Sequence, residues 1–252
     1  MPSDIQELTL WSKDHLISVN PHDFIGRNIV INGDWNRKIV QEAIAFLFKR
    51  NKITKNSIAL EIGGNIGTQT IYLLKEEVFS KVIVIEPDQD NYLLLTKNLA
   101  QNGLLEKVQS VRCAVGDKDG MSPLYKSTDN FGAHSLIKNI NTTETVYVPV
   151  KRIDTILSDL EVDPNDIGFI WMDIEGFESE ALQSMLAILA NKTPMMMEWS
   201  PIFLGGEKTL QLREFLGKYY DRCWLWGNEK FTSCRVEKLP AQKQIDVLFV
   251  NN

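Results

Sequence analysis

The residues with the clearest chemical spacing are Glu61-Ile-Gly-Gly-Asn-Ile-Gly67, which close an apolar run and open a helical pattern through Thr70, Leu73 and Leu74. Glycines at such a turn let a ligand approach the backbone with no Cβ in the way. A dinucleotide site reads G-x-G-x-x-G, with glycine where Asn65 stands and the last glycine one place beyond Gly67, so the spacing is not that of a nicotinamide cofactor. The Lys-Ser/Thr of a phosphate-binding loop is also missing. An acidic Glu61 just before the turn repels pyrophosphate but suits the ammonium of a zwitterionic ligand. Glu86, followed by Pro87, lies about 20 residues on, where a carboxylate accepts two hydrogen bonds from a ribose diol. An isolated Glu there is ordinarily a solvated strand end; its register with the glycine turn favours the ribose. Ala114-Val-Gly-Asp117 is read as the adenine wall, with an ordinary turn as the alternative.

A second group is Asp173-Ile-Glu-Gly-Phe-Glu178. Asp173 and Glu175 fall just past an apolar strand, at the sheet edge where doubly wound folds bind ligands, and can orient, deprotonate or ligate. Glu178 begins the next helix, where its charge meets the positive end of the dipole. Asp173 is the first choice as base and His134 the second; a loop histidine is more often simply solvated. No cluster has zinc-ligand spacing. Asp173 with Glu175 could hold Mg²⁺, but no third carboxylate is evident nearby in sequence, so the expectation is a site without metal. Trp35 and Trp199 are candidates to cover a ligand, or else plain core edges.

The elements that must position these groups alternate short β-branched runs with longer amphipathic segments, which predicts an α/β, doubly wound sheet. Strands are expected at 58–62, 81–85, 108–113, 167–172, 194–198, 222–226 and 245–250. Helices are expected after the glycine turn, after Asp88 to Asn102-Gly103, and at 153–160, 178–189 and 210–219. Residues 116–150 carry Gly120, Pro123, Gly132 and Pro149 and read as a hairpin or loop insertion. Residues 1–55, with an apolar helix at 39–48, form an N-terminal helical cap, and 56–252 the main domain.

Composition excludes several classes. A net charge of −6 opposes a sequence-independent grip on nucleic acid. The three cysteines form no C-x-x-C pair and no disulfide framework, which suits a reducing compartment. Neither a secretory leader nor a membrane-spanning run is visible, so the expected location is the cytoplasm.

Taken together, the glycine turn, Val84-Ile-Glu86-Pro87, Ala114–Asp117, Arg152-Ile-Asp154-Thr and Asp173–Glu178 resemble the FkbM-type methyltransferase family over about Asp23 to Glu198. The resemblance implies the class I methyltransferase (Rossmann-like) fold, a seven-stranded sheet with an antiparallel last strand. It also implies S-adenosylmethionine (SAM) as cofactor and O-methylation of hydroxyls on small molecules, polyketides or glycans. It makes Glu61, Gly63, Asn65, Gly67 and Glu86 cofactor positions, joined by Ala114 and Asp117 from the adenine wall, and puts Asp173 and Glu175 in the site. Two positions depart from the family pattern: Gly64 stands where alanine is usual, and Met172 where a lysine is. The alternatives are a nucleic-acid methyltransferase, opposed by the acidic balance and the lack of an Asn/Asp-Pro-Pro-Tyr/Phe run, and a SAM-binding protein without turnover.

Overall fold

A computed structural model describes residues 4–127, 130–138 and 142–251. The N-terminal segment forms a hairpin, β1 (Leu8–Ser12) with β2 (His15–Val19), then α1 (Phe24–Asn32) and α2 (Arg37–Lys49). The hairpin was not expected; Leu8 and Leu10 alternate with exposed Thr9 and Trp11, a period-2 pattern too short to stand out. On α2, Ile39, Val40, Ala43, Ile44 and Leu47 recur at helical spacing and are all buried. Each buried Ile or Leu contributes about 1.5–3 kcal/mol, which is what holds this segment to the sheet.

The alternation then proceeds as the sequence predicts: β3 (Ser57–Ile62), α3 (Thr68–Lys75), β4 (Phe79–Ile85), α4 (Gln89–Gln101) and β5 (Val108–Val111). Asp88 caps α4, accepting the amides of Asp90 and Asn91 at 3.0 Å, and Gly103 follows the helix at φ 67°. The insertion is a small three-stranded sheet, β6 (Ala114–Val115), β7 (Gly120–Ser127) and β8 (Thr142–Lys151), in the order β6-β8-β7. Then come α5 (Ile153–Asp159), β9 (Ile167–Met172), α6 (Glu178–Gln183), α7 (Leu186–Ala190), β10 (Met195–Trp199), α8 (Pro201–Leu216), β11 (Arg222–Gly227), β12 (Lys230–Arg235) and β13 (Ile245–Phe249). The single helix expected at 178–189 is two, broken at Ser184 and Met185.

The main sheet has the order β12-β11-β13-β10-β9-β3-β4-β5. It is the class I methyltransferase arrangement: the five strands from β10 to β5 run parallel, and β13 enters antiparallel between β10 and β11. Eight strands replace the expected seven because β12 folds back on β11 through Asn228 and Glu229, both left-handed at φ 49° and 56°. No Asn-Gly or Asp-Gly pair marks that turn in the sequence. Both faces of the sheet are buried. Ala59, Val82, Val84, Phe169 and Trp171 share one core with α1, α2 and α3, while Leu60, Ile83, Ile170 and Met172 share another with α5 to α8. No helix among the described residues is long and apolar enough to cross a membrane.

Candidate active site

The sheet divides between β3 and β9: from β3 the chain winds outward to β4 and β5, then returns to β9 on the other side. At such a switch point the loops beyond the carboxyl ends of the strands part and leave a crevice. Gly63, at φ 91°, sits on this seam; a Cβ there would lie 1.9 Å from the Asp173 carbonyl, so only glycine lets the two loops meet. Asn65 is left-handed at φ 46°, which presents its amide to Glu86 Oε2 at 2.7 Å. Glu86 Oε1 accepts the Asp88 amide at 2.9 Å. The carboxylate of Glu86 is only 5% exposed, and burial pushes it up to about 7 against the pull of these two backbone donors. A Cβ at Gly64 would meet Val84 Cγ2 at 2.3 Å and Leu95 Cδ1 at 2.8 Å, so the alanine usual in the resemblance is not accommodated here without movement.

A cavity of about 250 Å³ runs along the crevice. It brings together Gly63, Asn65, Glu86, Ala114, His134, Asp173 and Glu175 of the residues expected in the site. It does not include Glu61, Gly67 or Asp117. Glu61 is fully buried beneath the turn, where Oε2 accepts the Thr70 hydroxyl at 2.6 Å and Oε1 has no partner among the described residues. Burial raises its carboxyl to about 8, so near neutral pH it is largely an uncharged group supporting α3, not a counter-ion at the cavity wall. Asn65 lines the cavity, and its Oδ1 is buried with no partner among the described residues. Gly67 packs on Leu95, with a Cβ there 3.3 Å from Leu95 Cγ, and Asp117 turns its carbonyl to Arg152 Nη1 at 2.7 Å.

At one end the cavity is acidic. Carboxylate oxygens of Asp173, Glu175 and Glu198 all lie within 4.8 Å of one another. Asp246, cross-strand partner of Glu198 in the β10–β13 pair, also lines the cavity. Asp173 is exposed to solvent at the cavity, among carboxylates and the ends of the strands. Its carboxyl is raised well above the usual range, first by loss of hydration and then by Glu198 and Glu175. Burial followed by Glu198 raises Glu175 to about 8 and Asp246 to about 7. Like charges this close disfavour one another's ionisation, which adds to the rise at Asp173 and Glu175. The absence of a third carboxylate, on which the expectation of a metal-free site rested, is corrected by Glu198: distant in sequence, it reaches the cluster because β10 pairs with β9. Nothing in a single apolar strand ending in Glu marks it beforehand. Glu178 begins α6 as expected, accepting the Gly176 amide at 2.9 Å.

His134 lines the cavity but is not placed as a base. The Ser127 amide donates to its Nδ1 at 3.1 Å, which fixes the proton on Nε2 and occupies the free lone pair. Its pKa is lowered, chiefly by burial, and the charged groups that act on it are Asp88, Lys126, Asp23 and Asp90 rather than Asp173 or Glu175. Trp35 lines the cavity, edge-on to Phe24 at 5.6 Å. Trp199 does not; it is wholly buried, its indole donating to the Pro240 carbonyl at 2.7 Å. Met172 is likewise a core residue beneath the site.

These features coincide with the comparisons to known proteins. The chain is similar to Methyltransferase 1 of Beauveria bassiana, 26% identical over 152 residues, covering 52% of this chain and 59% of that protein. It is also similar to Methyltransferase sdnD of Sordaria araneosa, 25% identical over 160 residues, covering 53% and 62%. The chain thus spans about three-fifths of the length of these curated relatives. Among solved structures, the FkbM methyltransferase of Methylobacillus flagellatus KT superposes with a TM-score of 0.50 at 15% identity, over 89% of this chain and 60% of that one, a likeness of fold. The model of the methyltransferase FkbM domain matches residues 61–223, which takes in the glycine turn, Glu86 and the Asp173–Glu178 loop alike, and so this chain belongs to the FkbM methyltransferase family.

Proposed function

We propose that the protein is a SAM-dependent methyltransferase that methylates a hydroxyl of a small molecule or glycan. The observation that carries this reading is one continuous cavity with Glu86 at one part and the Asp173–Glu175–Glu198 cluster at another. The residues fit the cofactor. Glu86 accepts two backbone amides yet keeps further lone pairs for a ribose diol, and Gly63 and Asn65 line the cavity beside it. Ala114, Val115, Leu124 and Phe131 offer an apolar wall to a base.

SAM supplies an already activated methyl group on a sulfonium, so the protein's work is alignment, exclusion of water and handling of one proton. Asp173 is the base for the acceptor hydroxyl. Loss of hydration and the carboxyls beside it raise its proton affinity above that of an ordinary aspartate, which makes it the stronger base. A negative cluster at this end disfavours a phosphodiester acceptor and suits a neutral or basic one. The three free thiols fit a reducing, cytoplasmic setting.

Calorimetry with SAM, S-adenosylhomocysteine (SAH) and NAD, followed by methyl-labelled SAM offered to hydroxylated metabolites, glycans, RNA and DNA, tests the proposal. Binding of SAH but not NAD, with label on a hydroxyl, is expected. NAD binding without SAM binding refutes the cofactor, label chiefly on nucleic acid refutes the acceptor class, and binding without transfer to any class leaves a non-catalytic SAM-binding protein.

A further inference from the structure

Residues Asn130 to Leu136 form a strap along the cavity, and its middle is gripped from two sides. The Phe131 amide donates to Asp23 Oδ1 at 2.6 Å, while the Phe131 carbonyl accepts from Asn91 Nδ2 on α4 at 3.0 Å. Asp23 belongs to the N-terminal segment, outside the residues matched by the family model, and is 4% exposed. Its other oxygen, Oδ2, accepts the Gly26 amide at 3.0 Å as the cap of α1. One carboxylate therefore splits its two oxygens between a helix end and the strap. The packing agrees: a Cβ on Gly132 would lie 2.6 Å from Ile25 Cδ1 and 3.1 Å from Asn65 Nδ2, so the strap is pressed between α1 and the glycine turn. Further along, Ser135 Oγ donates to the Glu175 carbonyl at 2.7 Å, tying the same strap to the acidic end. Ile25 and Trp35 bring the N-terminal segment to the cavity wall as well.

We propose that Asp23 is a positioning residue for cofactor binding, holding the strap so that Phe131 and Leu136 wall the cavity before the ligand arrives. This rests on the SAM reading of the cavity. Asp23 touches no ligand in this account; it acts through the Phe131 peptide. Without the second oxygen, the part-buried Phe131 amide loses its acceptor, and the ordering of the strap must be supplied by the ligand at a cost in affinity.

Asp23→Ser and Asp23→Asn in the full chain test this. Serine and asparagine are both favoured helix caps, so α1 keeps its start, but serine reaches only one donor and asparagine has only one acceptor oxygen. The expected result is SAH binding weakened by about tenfold or more in both, little change in melting temperature, and faster hydrogen exchange at the Phe131 amide in the ligand-free protein. SAH affinity within twofold of wild type overturns the proposal. So does weakened affinity with Phe131 exchange unchanged, since that places the effect in α1. Failure of the wild-type chain to bind SAH overturns the cofactor reading itself, and is thereby separate from a wild-type chain that binds while Asp23→Ser binds as well.

Discussion

Replacing Glu198 with Gln probes whether neighbouring carboxylates raise the proton affinity of Asp173 and Glu175. Its oxygens and those of Asp173 and Glu175 lie within 4.8 Å of one another. Two unit charges at that separation repel by about 3.5 kcal/mol at an effective dielectric of about 20, or roughly 2.5 pH units at 1.36 kcal/mol per unit. The cavity admits water and the charges are shared, so screening cuts the effect to about one unit. Glu198→Gln removes one negative neighbour, and the carboxyls of Asp173 and Glu175 should both fall. Side-chain ¹³C-carboxyl NMR of the ligand-free protein reads this without knowledge of the acceptor. In the wild type the carboxyl assigned to Glu175 should titrate near 8, the value to which it is pushed; in the variant it should titrate about one unit lower, while Glu61, raised to a similar value by burial, stays where it is. On turnover, the acidic limb of the pH profile should move the same way, and Asp173→Asn should lower kcat by about 10²-fold or more with a smaller change in SAM affinity. A wild type in which no carboxyl titrates above pH 6, an unmoved titration in Glu198→Gln, or a fully active Asp173→Asn enzyme refutes the reasoning.

Glu86→Gln, which removes the charge that a ribose diol contacts, should weaken SAH by about 10- to 100-fold, the loss of charged hydrogen bonds; equal affinity in a folded variant puts the ribose elsewhere. Methyl transfer should survive EDTA, because an activated sulfonium needs no Lewis acid; loss of turnover restored by Mg²⁺ would instead make Asp173, Glu175 and Glu198 metal ligands. Stability should respond to pH through Glu61, whose carboxyl is raised from 4.5 to about 8 in the folded chain. The folded state therefore binds this proton more tightly, giving stability that is fully present below about pH 4.5 and lost as pH rises through 8. The melting temperature should fall between pH 6 and 9, less so in Glu61→Gln, and parallel curves for the two proteins would show that Glu61 does not carry the effect.

Much of this protein was written locally. Strand-turn-helix order, the capping of α4 by Asp88, the hairpin in the insertion and the family follow from periodicity and from Gly63, Asn65, Gly67 and Glu86 at fixed offsets, since backbone sterics and strand alternation act within a few residues. What the sequence left undecided depends on which strands become neighbours. Glu198 and Asp246 join Asp173 only because β10 lies between β9 and β13, and Glu61 turns from an expected ligand contact into a buried, proton-bearing group only because α3 packs over it. His134 loses its place as a base to a backbone amide seven residues away, and Asp23 acquires a strap from a segment 108 residues distant. Charge, proton affinity and preorganisation are properties of what surrounds a side chain, and those surroundings exist only after long-range pairing has closed the sheet.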